Sequence, residues 1–383
     1  MQRNLKQEGN GMGRHRGFFS ILSFSCLFVL LLSSCNNRQQ PIKIGMSINL
    51  SGRGGEAGED IRDGALLAVD KVNSSGGING RPLELLIRDD KNTDQGIRAA
   101  DESLIGQGVV AIIGHSYSSS TVKALPYVSA HNTLLITAYT ATTRLSGLDD
   151  LFFRTSVDCA LYGRKVADLL KKRKVHSVAF LMDMTNPDFV VDFVGQVKQR
   201  FAGPTTEVQF ESRDQADWTR ILHDLLQAQP DAVVLLTEAS MTGVALQKLQ
   251  GAGYSGLRIA TLWAQNPDLM RYAGDSAEGL TLVTFINPDN TRPDYLAFAR
   301  DIEATFHKKA NAKSTRAYEM IMILADALRR CPTPSAEALK KALPAKEYNT
   351  LMGRVQFDRY GDVVRPVYEV VVRKKQFRNN GEI

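Results

Sequence analysis

VVAIIGHSYSSST, residues 109–121, decides the fold. Its opening is an unbroken apolar run closed by Gly114. Such a run predicts a parallel strand buried on both faces, not a strand with one wet side. That strand needs helices above and below it, and the serines that follow lead into a helix predicted over 118–130. Working outward, residues 42–49 alternate as a strand and 51–58 form a Gly-rich turn. Ile61, Ala65, Val69 and Val72 then recur at helical spacing until Gly76 and Gly77 stop them. Strands over 83–88 and 134–137 and a helix over 94–107 complete a first series.

The alternation restarts after about residue 157. Leu161, Val166 and Leu169 mark a helix, and strands are predicted over 177–182, 232–237 and 257–262. Between them run helical stripes on Phe189, Phe193 and Val197, on Trp218, Ile221 and Leu225, and on Val244 and Leu249. The tail predicts helices over 295–306, 316–330 and 336–343, then strands over 354–357 and 367–372. Two α/β series imply two Rossmann-like lobes with parallel sheets. No low-complexity linker separates them, so closely packed crossings are expected.

The 383 residues exceed what one core comfortably serves. A composition of 43% apolar and 23% charged residues excludes disordered, collagen-like and coiled-coil chains. Four cysteines exclude a disulfide scaffold. Arg3, Lys6, Arg14 and Arg16 against Glu8 supply half of the formal charge of +6. The rest is too mild for a nucleic-acid partner, and no basic stripe is interleaved with aromatics.

Residues 1–17 are polar and basic, 18–32 are almost wholly apolar, and Ser33-Ser34-Cys35 follows. A core this short, against about 20 residues for a bilayer span, describes a signal peptide over 1–34. Residues 35–40 read as a tether. With Cys26 removed and Cys35 otherwise used, Cys159 and Cys331 remain, either as a disulfide or, the preferred reading, as two free thiols.

Ligands of parallel sheets sit beyond the carboxyl ends of strands. Three turns stand there. The one over 51–58 mimics a dinucleotide loop, but its last glycine spacing is one residue too long. The turn bearing Ser116, Tyr117 and Ser118 offers hydroxyls and amides suited to a carboxylate or another polar group. The turn bearing Tyr139, Thr140 and Ala141 is equally suited to hydrogen bonding. Catalytic sets are missing. None of the six histidines falls in a metal spacing, no G-x-S-x-G elbow occurs, and Asp89 and Asp90 point to opposite strand faces. No enzyme activity, metal or cofactor is expected.

Seven segments carry a resemblance: IKIGMSINLSG (42–52), GALLAVDKVNSSGGINGRPLELLIRDD (64–90), VVAIIGHSYSSST (109–121), LLITAYTATTRL (134–145), LFFRTSVD (151–158), GDSAEGL (274–280) and LMGRVQFDRYGD (351–362). In this order and spacing the mature chain resembles the type I periplasmic solute-binding proteins, the branched-chain amino-acid (Leu/Ile/Val) binding family. Leu32-Ser33-Ser34-Cys35 likewise resembles a bacterial lipobox, which implies acylation of Cys35 and a lipid anchor to the membrane.

The resemblance implies two lobes joined by three hinge crossings near 155–158, 284–287 and 352–357. Lobe 1 is then 41–156 plus 286–354, and lobe 2 is 157–285 plus 355–379. It further implies an extracytoplasmic monomer that closes on a small-molecule solute, an amino acid or related carboxylate or amide, and docks on ABC permease subunits. A ligand-sensing subunit for a membrane receptor is the alternative. The family's carboxylate-gripping serine matches Ser118. Its ligand threonine is replaced by Ala141, beside Thr140 and the hydroxyl-bearing loop. Its ammonium-binding acid falls near Leu262 or Trp263, neither acidic, so Glu238 on the neighbouring strand is the candidate substitute. Tyr117, Tyr139 and Trp263 imply an aromatic cleft. If Glu238 does not supply the charge, the ligand is not a free α-amino acid, because a buried ammonium needs a carboxylate.

Overall fold

Ala111 and Ile113 pack on one sheet face while Ile112 packs on the other, as a strand buried on both sides requires. The computed structural model that places them describes residues 40–52 and 54–383. The expected signal peptide, Cys35 and most of the tether lie outside the described residues. No described helix is long and apolar enough to cross a membrane.

The first sheet runs in the order β2 (Leu83–Asp89), β1 (Ile42–Ile48), β3 (Ala111–Gly114), β4 (Leu134–Thr137) and β5 (Phe152–Arg154), all parallel. Helix α1 (Gly55–Ser74) lies against one face, and α2 (Asp94–Gly106) and α3 (Ser118–Ala130) against the other. α1 starts at Gly55, so half of the expected Gly-rich turn is helix, entered through Gly54 in a left-handed conformation at φ 86°.

The second lobe holds α4 (Cys159–Lys172), β6 (Val178–Asp183), α5 (Pro187–Lys198), β7 (Thr205–Phe210), α6 (Trp218–Leu226), β8 (Ala232–Leu236), α7 (Ala239–Gly251), β9 (Leu257–Thr261), α8 (Asp268–Ala273) and β10 (Thr281–Thr284). The chain then returns to the first lobe. There it forms α9 (Pro293–Phe306), α10 (Ala312–Arg329), α11 (Ala336–Ala342) and a hairpin of β11 (Tyr348–Thr350) and β12 (Gly353–Val355). It finally adds β13 (Tyr368–Arg373) and β14 (Gln376–Glu382) to the second sheet, whose order is β14-β13-β10-β9-β8-β6-β7. β13 and β14 are its antiparallel members.

One expected crossing is displaced. The third passage falls after Val363, not within 352–357, because Phe357 and Val363 bridge one another and pack in the first lobe's core. Arg154, wholly buried, fixes that return: its Nε lies 2.7 Å from the Asp362 carboxylate, and its backbone N–H donates to Gly361 O at 2.9 Å. At the second passage, expected near 284–287, Phe285 and Ile286 pack with the second lobe. Cys159 and Cys331 are free and buried in different cores.

Candidate functional site

α10 begins at Ala312 rather than 316, and that extra turn shapes the site. Asn311 caps it, accepting from the N–H groups of Lys313 and Ser314 while Ser314 Oγ accepts from Asn311 N–H. Gly64 lets α1 come so close that a Cβ there would stand 2.1 Å from Ser314 O. Lys313 and Arg316 therefore face the gap between the lobes, only 7% and 5% exposed.

A cavity of about 60 Å³, measured as room for water centres, lies between the lobes. The first lobe gives it Ser116, Tyr117, Tyr139, Ala141, Lys313 and Arg316. The second lobe gives Tyr162, Asn186, Phe189 and the Thr261-Leu262-Trp263 corner after β9. Trp263 meets Tyr117 and Phe189 edge to face, with centroids 6.0 and 5.7 Å apart, so the aromatic wall spans both lobes. The Arg316 guanidinium lies 4.4 Å above the Tyr139 ring, and Tyr139 donates its hydroxyl to Lys313 O at 3.0 Å. Burial pushes both the Tyr117 and Tyr139 hydroxyls well above the ordinary phenol range, so both are neutral donors at physiological pH.

Of the residues expected in the site, Ser116, Tyr117, Tyr139, Ala141 and Trp263 line this cavity. Ser118 and Thr140 stand behind its wall: Ser118 Oγ accepts from Ala141 N–H at 3.2 Å, and Thr140 Oγ1 pairs with Thr121 Oγ1 at 2.6 Å. Glu238 lines an adjoining outer chamber of about 420 Å³ together with Glu56, Asp268 and Lys313. Its carboxylate caps α7, accepting from Met241 N–H at 3.1 Å and from the Ser240 hydroxyl. Lys313, Arg316, Tyr162, Asn186 and Phe189 are cavity residues that the sequence reading passes over.

His115, wholly buried between β3 and Ser116, holds this loop. Its Nδ1 lies 2.7 Å from Asp90 and its Nε2 3.3 Å from Asp101. Burial disfavours the imidazolium, but the charges of Asp101 and Asp90 outweigh it and raise the pKa from 6.5 to about 10. A folded-state pKa above the unfolded one gives stability that is complete below pH 6.5 and lost as pH rises through about 10. The melting temperature should thus fall between those limits. In His115→Asn, less stable throughout, that fall should be missing from a pH series of thermal melts.

The lobes are drawn together by polar contacts around the cavity. Asp192 of α5 accepts from the Thr143 N–H at 2.5 Å and from its hydroxyl at 2.9 Å. Asn266 donates to Asp60 at 3.1 Å, and Arg271 pairs with Glu56 at 2.8 Å. Ser119 N–H donates to Asn186 Oδ1 at 3.2 Å. No cluster among the described residues has the makings of a metal site.

A family model described as periplasmic binding protein matches residues 41–376. The chain is 24% identical over 360 residues to the leucine-, isoleucine-, valine-, threonine- and alanine-binding protein of Pseudomonas aeruginosa, covering 89% of this chain and 92% of that one. It superposes with a TM-score of 0.80 on the branched-chain amino acid transporter substrate-binding protein LivJ of Streptococcus pneumoniae in complex with isoleucine, at 19% identity over 90% of this chain and all (100%) of that one. A solute-binding protein of an ABC transporter from R. palustris, in complex with benzoate, gives the same TM-score of 0.80 at 16% identity over 89% of this chain and 96% of that one.

Proposed function

The chain belongs to the periplasmic binding protein family, type I, and on that premise we propose that it captures a small polar solute between its lobes and delivers it to an ABC importer. The observation that carries this reading is a cavity with two half-walls, one on each lobe, complete only when the lobes meet. Binding energy is then spent on closure, and the closed form is what a permease can distinguish from the open one. The solute undergoes no bond change. Amino acids and related carboxylates or amides are the solutes to try, with Ser116, Tyr117, Tyr139, Ala141 and Trp263 as direct contacts and Ser118 and Thr140 as supports for the two loops. Acylation at Cys35 would hold the monomer at the extracytoplasmic membrane face, and Cys35→Ser should release it into the soluble fraction.

A thermal-shift panel of amino acids, amides and carboxylates tests the reading. A solute at a hundred times its Kd should add about 2.7 kcal/mol and raise the melting point by several degrees. A panel without any shift would contradict solute capture. The closure contacts give a separate test. Asp192→Ala removes the hydrogen bonds that Thr142 Oγ1, Thr143 N–H and Thr143 Oγ1 donate across the lobes, and touches no cavity wall. Affinity for the bound solute should fall by about tenfold, with cavity selectivity unchanged in calorimetric titrations.

A further inference from the structure

Resting on that reading, we infer that the solute is a small carboxylate with a flat or apolar body and no ammonium group, its charge met by Lys313 and Arg316. Among the described residues lining the inner cavity there is no aspartate or glutamate, yet two are cations. Lys313 Nζ has no hydrogen-bond or salt-bridge partner among the described residues, although the residue is 7% exposed. Desolvation holds its pKa below the ordinary lysine value, opposed by the Glu238 charge across the outer chamber. A buried cation without an anion is a costly arrangement, and an anionic solute resolves it. Arg316 spends Nε on Ala312 O at 3.0 Å and Nη1 on Ala138 O at 2.9 Å, which fixes the guanidinium and leaves Nη2 for a ligand.

The rest of the wall suits an unsaturated or apolar body. Tyr117, Tyr139, Tyr162, Phe189 and Trp263 present five rings to a space of about 60 Å³. An α-amino acid there would place its ammonium beside two cations. The acid expected to receive it, Glu238, lies in the outer chamber with its Oε1 bound at the start of α7. Like charges in a dry site select against a partner as strongly as unlike charges select for one.

Calorimetry on matched pairs decides the matter: 3-phenylpropanoate against L-phenylalanine, 4-methylpentanoate against L-leucine, and benzoate against benzylamine. At least one carboxylate should bind more than about tenfold tighter than its amine-bearing counterpart. Lys313→Met should weaken that carboxylate by about 30-fold or more, while Lys313→Arg keeps most of the affinity. Circular dichroism and the melting point of the ligand-free Lys313→Met protein should match or exceed those of the parent, since the substitution removes a buried unpaired charge. Tighter binding of the amine-bearing member of each pair, or unchanged affinity in Lys313→Met, would overturn the inference while leaving solute capture intact. Absence of saturable binding by every compound here and in the thermal-shift panel would overturn both.

Discussion

Valine at position 64 should cost about 3 kcal/mol or more and abolish solute binding at concentrations that saturate the parent. A Cβ on Gly64 would stand 2.1 Å from Ser314 O and 2.7 Å from Ser314 Cα. Both obstacles are backbone, so no rotamer change relieves them, and α1 must part from α10. Packed interiors resist such shifts because the neighbouring side chains are already close-packed. Here the neighbours include Ile61, Ala65, Ala68, Ala317 and Met320 in one core. The displacement reaches function because Lys313 and Arg316 flank Ser314 on the same helix. Urea denaturation measures the first effect and calorimetry the second. Gly195→Ala on α5 is the control: nothing lies within 4 Å of its added Cβ, and it should gain about 0.5–1 kcal/mol from helix propensity.

Arg154→Met should be of similar size, about 3–5 kcal/mol, for a different reason. Arg154 is among the largest fully buried side chains of the molecule. Its Nε meets Asp362 at 2.7 Å, its Nη1 donates to Thr142 O at 2.8 Å, and its Nη2 reaches the Ser146 hydroxyl. Methionine fills much of the volume but strands the Asp362 carboxylate, whose pKa burial already raises against the pull of Arg154. The double variant Arg154→Met/Asp362→Asn should therefore lose less than the sum of the two single losses, and chemical denaturation of the four proteins in the cycle measures the difference. Because Asp362 sits in the return that precedes the third passage, the single variant should also loosen lobe closure.

The buried central strands were legible because their chemistry is local. VVAIIG and AVVLL read as β3 and β8 without knowledge of any partner. Edge strands were not. β7 (TTEVQF) and β14 (QFRNNGE) keep one side in water and carry polar residues there, so their apolar signal is too sparse to separate from a loop. β10 (TLVT) is too short to declare itself. The loop part of the first-lobe wall was legible from topology, since loops after β3 and β4 must open at the strands' carboxyl ends, and the family resemblance picked out residues within those loops. The second-lobe wall was not: placing Tyr162, Asn186 and Phe189 requires knowing how two separate sheets face one another. Lys313 and Arg316 were hidden for a third reason. Asn311 is capped by Ser314 rather than by the Glu or Gln that marks a capping box in sequence, so α10 read as starting at 316. Nothing local then tells a buried lysine from the exposed ones.

The central claim is that solute binds in the cavity between the lobes, and Trp263 reports on that space directly. The chain has two tryptophans, and Trp218 lies on α6, away from the cavity lining. In Trp218→Phe the emission of Trp263 alone is followed during titration with whichever solute gives the largest thermal shift. The predicted result is a saturable change in Trp263 emission whose midpoint equals the calorimetric Kd. Calorimetric saturation with a silent Trp263 would place the solute elsewhere and contradict the account.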